Sequence, residues 1–126
     1  MTPFGKKVRS LRAERGLTQK QMAESIGVSP AYLSALEMGK KGRPSFALVQ
    51  RIITYFNIIW DDAEELIELA GISHPRIVID TSNLSADATS FANRLSREIK
   101  KLTDSDIALL TTLLDRTKQK NKTHGI

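Results

Sequence analysis

Through residue 70 the apolar residues recur at the three- and four-residue spacing of amphipathic helices, and residues that start or stop a helix bound each run. Val8 and Leu11, with Arg12 on the same face, predict a first helix over residues 3–15, with Pro3 near its start and Gly16 closing it. Thr18 is an N-cap for a second helix through Ile26, which Gly27 stops. Ser29 caps a third helix with Pro30 at its first position, where a missing N–H costs nothing, and this helix ends near Met38 and Gly39. A basic loop, Gly39-Lys40-Lys41-Gly42-Arg43-Pro44, leads to Ser45, which caps a fourth helix carrying Leu48, Val49, Ile52, Ile53 and Phe56. Asp61 and Asp62 open a fifth helix over residues 61–70, with Leu66, Leu69 and Ala70 apolar and Gly71 beyond its end.

The pattern changes at His74-Pro75. The β-branched run Ile77-Val78-Ile79 prefers an extended conformation, and a lone strand cannot satisfy its backbone. Two readings stay open: an extended linker, or a strand that pairs with its counterpart in a second subunit. Ser85 then caps an amphipathic helix with Ala88, Phe91, Ala92, Leu95, Ile99 and Leu102 on one face, and Thr103 or Asp104 starts a last helix carrying Ile107, Leu110, Leu113 and Leu114. That is more apolar surface than a helical hairpin can cover by itself, so the pair should pack on the N-terminal domain or on a second copy. The expected fold is therefore all-α: a five-helix domain over residues 1–73, an extended linker or dimer strand over 74–83, a helical pair for dimerisation over 84–118, and a flexible polar tail over 119–126.

Composition narrows the chemistry. The chain has no cysteine, which removes disulfides, Cys-ligated zinc, iron-sulfur clusters and thiolate nucleophiles. Lys6 and Lys7 precede no apolar h-region, and no run approaches the ~18–20 apolar residues of a membrane span, so a cytoplasmic location is expected. The charge is uneven: residues 1–60 hold ten Lys/Arg against three Asp/Glu, whereas residues 61–75 hold five acids and no base. A basic N-terminal half suits a polyanionic partner, because neutralised phosphates release condensed counterions.

The second and third predicted helices and the short turn between them form one unit. Met22, Ala23, Ile26, Leu33 and Leu36 hold the two helices together, small Ala23 permits close approach, and Gly27 occupies the turn. The other face of the third helix is left free to enter a major groove. Leu17-Thr18-Gln19, Ala23, Gly27-Val28-Ser29, Leu33-Ser34, Leu36-Glu37, Gly39 and Arg43-Pro44 stand in one register. In these residues the chain closely resembles the Cro/cI-like, or XRE, helix-turn-helix repressors over residues 4–70. The resemblance implies a lambda-repressor-like DNA-binding domain acting on double-stranded DNA.

By that resemblance Gln19 bonds a backbone phosphate, and base contacts come from Ser29, Pro30, Ala31, Tyr32, Ser34 and Ala35. Phage repressors place glutamines at several of these sites, and this chain departs from them. Pro30, Ala31 and Ala35 offer only van der Waals contact, for example to thymine methyl groups, which leaves Ser34 and Tyr32 as polar readers. Modest direct readout supplemented by DNA shape and dimer spacing is expected. For Tyr32 the alternative is a partly buried aromatic that closes the motif. The resemblance assigns Lys40, Lys41 and Arg43 to phosphates, against the plainer reading of a solvated loop. It pairs Arg12 with Glu37 as an internal salt bridge and so removes Arg12 from the DNA contacts.

Other chemistry fits poorly. Asp61, Asp62, Glu64, Glu65 and Glu68 suit the negative first turns of a helix better than a metal or acid/base site. His74 and His124 form no metal triad, no Gly-rich phosphate loop occurs, and no small-molecule pocket is recognisable. Ala70-Gly71 matches the cleavage dipeptide of self-cleaving repressors, but the residues C-terminal to it read mainly as helices, and a C-cap glycine explains the pair more simply. The expectation is a non-enzymatic regulator without cofactor or metal, acting as a homodimeric repressor. The alternative is an antitoxin-type protein that neutralises a partner and represses its own operon.

Overall fold

Each of the first four helices begins at a hydroxyl side chain that takes one of the N–H groups a helix leaves unpaired at its start. The computed structural model describes residues 1–123. α1 (Pro3–Glu14) starts where Thr2 Oγ1 accepts from the Gly5 N–H at 3.0 Å. α2 (Gln19–Ile26) starts in a reciprocal capping box between Thr18 and Gln21. α3 (Pro30–Glu37) and α4 (Phe46–Tyr55) are capped by Ser29 and Ser45.

α5 (Trp60–Gly71) departs from the sequence pattern at both ends. It begins at Trp60, a residue before Asp61, and Ile59 at its N-cap makes no side-chain hydrogen bond. Trp60 itself holds a φ of +54°, a left-handed conformation that a bulky side chain disfavours. Gly71 is the last helical residue and does not adopt a positive φ, so it is not the left-handed cap expected of it. A tertiary contact stands at this end instead. Buried Ser73 donates its hydroxyl to the Leu69 carbonyl and accepts the Phe4 N–H at 2.9 Å, joining the end of α5 to the start of α1.

α1 packs on α3 and α5, α2 on α3 and α4, and α4 on α5. Phe4, Val8, Met22, Leu33 and Ile52 are fully buried at the centre of this arrangement. Gly5 lets α1 cross close over the end of α3: a Cβ there would meet the backbone carbonyl oxygens of Leu36 and Glu37 inside contact distance.

The chain divides into two compact units, Met1–Ile77 and Val78–Ile126. The first holds α1 to α5. In the second, a stretch without helix or strand that turns at residues 81–84 leads to α6 (Ala86–Glu98), a 3-10 turn (Ile99–Lys101) and α7 (Asp104–Thr123). Ile77, Val78 and Ile79 are exposed and form no strand among the described residues. α7 continues through residues 119–123, which the sequence pattern assigned to a polar tail; Lys and Gln favour helix and carry it on. The rest of that tail, with His124, lies outside the described residues. Between residues 78 and 122 no side chain is buried, although Ala88, Ala92, Leu95 and Leu102 are half-buried. None of the described helices is long and apolar enough to cross a membrane.

Candidate nucleic-acid interface

Gly27 ends α2 with a φ of +76°, and the Val28 N–H returns to the Ala23 carbonyl at 3.0 Å. Ser29 and Pro30 start α3 immediately afterwards, so α2 and α3 are joined by a three-residue turn. Met22, Ala23 and Ile26 of α2 and Leu33 and Leu36 of α3 are all buried. From α4, Arg51 Nη1 donates to the Ile26 carbonyl at 2.9 Å and ties down the end of α2. This apolar interface and tethered turn fix α3 against the core with one face outward.

On that face Ser29, Pro30 and Ala31 are exposed, and Tyr32, Ser34 and Ala35 are half-buried. The Tyr32 ring packs against the core, so much of this aromatic is spent closing the two-helix unit. What projects furthest is small and largely apolar, with the Ser34 hydroxyl as a short polar group. Such a surface can approach a groove wall closely.

Behind α3 lies a buried ionic group. Glu37 is 1% exposed, and its carboxylate accepts from Arg12 Nε at 2.9 Å, from Arg12 Nη2 at 3.0 Å and from Gln19 Nε2 at 3.3 Å. Arg12 Nη1 also donates to the Leu17 carbonyl at 2.8 Å. One guanidinium thus fastens α1, the approach to α2 and the end of α3. The forked contact offsets the desolvation of a buried carboxylate and holds the Arg12 guanidinium above its ordinary pKa, through its hydrogen bonds to Glu37. Gln19 gives one amide N–H to Glu37 and keeps a second N–H for another acceptor. The Gln19–Glu37 contact was not visible in the sequence, where the residues lie 18 positions apart.

The basic half of the chain sorts into two groups. Arg12, Arg51 and Arg15 are committed internally. Arg15 Nη2 donates to the Phe56 carbonyl at 2.6 Å, with its guanidinium 4.9 Å from the Phe56 ring centre. Lys40, Lys41 and Arg43, by contrast, are exposed in the loop after α3, and none makes an ion pair among the described residues. Lys20, which sequence reasoning missed, is a further exposed cation in the first turn of α2, beside Gln19. Its signal was its position directly after the Thr18-Gln19 pair. The acids Asp61, Asp62, Glu64, Glu65 and Glu68 lie along α5, and among the described residues no group of three His, Cys, Asp or Glu is placed to hold a metal ion.

Comparison with known proteins agrees with this geometry. The helix-turn-helix family profile matches residues 8–59, which span α2, α3 and the basic loop. The HTH-type transcriptional repressor RghR of Bacillus subtilis is 39% identical over 61 residues, covering 48% of this chain and 45% of its own length. The HTH-type transcriptional activator BcrR of Enterococcus faecalis is 39% identical over 70 residues, 53% of this chain and 34% of its own. The HTH-type transcriptional regulator y4dJ of Sinorhizobium fredii is 33% identical over 84 residues, 67% of this chain and 83% of its own. The chain thus spans about half or less of the Bacillus and Enterococcus proteins. No solved structure gives a significant match.

Proposed function

The chain belongs to the XRE-type helix-turn-helix family of transcriptional regulators, and we propose that it is a cytoplasmic, homodimeric repressor that recognises a specific double-stranded DNA sequence with α3. The observation that carries this reading is the outward face of α3, held from behind by the core and made up mostly of small side chains beside Tyr32, next to a loop whose three cations have no acidic partner among the described residues. Small groups on the helix permit close approach to base edges, and cations at the side meet the phosphates that line a groove.

In this arrangement Gln19 uses its free amide N–H on a phosphate, with Glu37 holding the side chain in place. Lys40, Lys41 and Arg43 neutralise further phosphates. Ser34 supplies a polar base contact, Tyr32 contributes its exposed edge, and Ser29, Pro30, Ala31 and Ala35 offer van der Waals contact. Repression follows from occupancy, since a protein bound across a promoter excludes polymerase. RghR carries the name of a repressor, and BcrR that of an activator.

The test is selection of bound duplexes from a random pool at physiological salt, followed by transcription from a promoter bearing the selected site. The expected result is an inverted repeat with half-site centres about 34 Å apart, or a multiple of that spacing, and reduced transcription. Salt-sensitive binding without sequence enrichment would overturn specific recognition, and increased transcription would overturn the repressor assignment.

A further inference from the structure

Resting on the homodimer reading, we propose that a second copy of this chain covers the apolar faces of α6 and α7, with the two α7 helices running antiparallel across the twofold axis. In α7, Ile107, Leu110 and Leu114 follow helical spacing, and Leu109 and Leu113 widen the stripe. All five are between 44% and 69% exposed, and Phe91 and Ile99 on the stripe of α6 are 58% and 49% exposed. Isolated apolar residues on a surface need no explanation, but a contiguous stripe on both helices of a unit that buries nothing does. These seven side chains expose roughly 700 Å² per chain, so two copies joined through them would bury at most about 1,400 Å², within the range of a standard stable interface.

Charge chooses the occupant and the direction. Asp104 and Asp106 lie in the first turn of α7, while Arg116, Lys118, Lys120 and Lys122 lie in its second half, with Asp115 the one acid among them. Parallel copies would set acid on acid and base on base. Antiparallel copies centred on the apolar stripe, between residues 110 and 111, set Asp115 of the second copy opposite Asp106 and bring its Arg116 and Lys118 within about a turn of Asp106 and Asp104. They also oppose the two helix macrodipoles. The same polarity makes α7 complementary to itself, which an isologous twofold interface requires.

The absence of native cysteine makes the arrangement directly readable. The full chain is prepared as Ile107→Cys and as Leu114→Cys, one of them carrying a mass tag. Each is oxidised alone and as an equilibrated mixture, while the reduced variants and the parent are sedimented across a micromolar concentration range. The expected result is a disulfide joining the two different variants in the mixture, several-fold more abundant than the product of either variant alone. Equally efficient bridging within each variant alone would mean a parallel pair and overturns the proposal. Dimers by sedimentation with no bridge in any sample overturn the α7 interface and leave the homodimer reading standing. Monomers throughout overturn both, and would assign the two faces to an unlike protein.

Discussion

Glu37 is a buried carboxylate surrounded by three side-chain N–H donors, so what a mutation does there depends on which donor it removes. Arg12→Ala leaves the charge facing Gln19 alone and should lower stability by about 3–5 kcal/mol, the range for breaking a buried pair from one side. Arg12→Lys keeps the charge but not the fork and should fall between the parent and Arg12→Ala in a urea titration. On the outer side of the motif the effects belong to DNA. Lys41→Ala should weaken binding to all duplexes alike and reduce the salt slope by about one unit, whereas Ser34→Ala should change base preference at one position. Fluorescence anisotropy with a panel of duplexes at several salt concentrations separates them. A change in sequence preference on removing Lys41 would contradict its assignment to phosphate. The roles of Arg12 and Glu37 could be inferred from the sequence only through family resemblance. The inward turn of Gln19 could not, because it needs the end of α3 to be in place.

Among the elements, α5 carries a local conflict and α7 a local optimum. Trp60 is 82% exposed and sits at a positive φ, so Trp60→Gly sacrifices little packing and relieves the left-handed backbone. It should raise stability by about 1 kcal/mol, seen as a higher thermal midpoint. Caps were the most legible feature of the sequence, since Thr18, Ser29, Ser45 and Ser85 act within three residues of themselves. At the start of α7, Thr103 and Asp106 cap reciprocally. The Thr103 backbone N–H, and then its hydroxyl, hold the Asp106 carboxyl below its ordinary pKa. A carboxyl depressed in the folded state contributes stability above its unfolded pKa and loses it as pH falls through the folded value. Acidification through the carboxylate range should therefore fray the first turn of α7, followed by the Thr103 amide resonance, and Asp106→Ala should abolish that pH response.

For the whole molecule, the contrast between the units sets the expected unfolding behaviour. Met1–Ile77 has a buried apolar core that includes Phe4, Met22, Leu33 and Ile52, whereas no side chain of residues 78–122 is buried. The first unit should unfold at a midpoint independent of protein concentration. The second, for which the proposed dimer supplies the core, should melt at a midpoint that rises with concentration. Helicity tracked over a hundredfold concentration range tests this, and a concentration-independent second transition would mean that α6 and α7 are stable without association.

The sequence alone determined the helical class, the succession of the helices of the first unit and the family, because caps, glycine stops and apolar periodicity act over one to four residues and survive without knowledge of the fold. It also marked the loop cations Lys40, Lys41 and Arg43, since a run of three bases over four residues with no acid between them is visible as written. Family resemblance already paired Arg12 with Glu37, but only the tertiary structure decided that Arg15 and Arg51 are spent internally, because they meet Phe56 and Ile26, each 25 or more positions away. The same holds for the ends of α5 and for the close passage of α1 over α3 at Gly5. Those features depend on backbone atoms brought together by packing, and no local pattern encodes a contact whose two halves are specified in different helices.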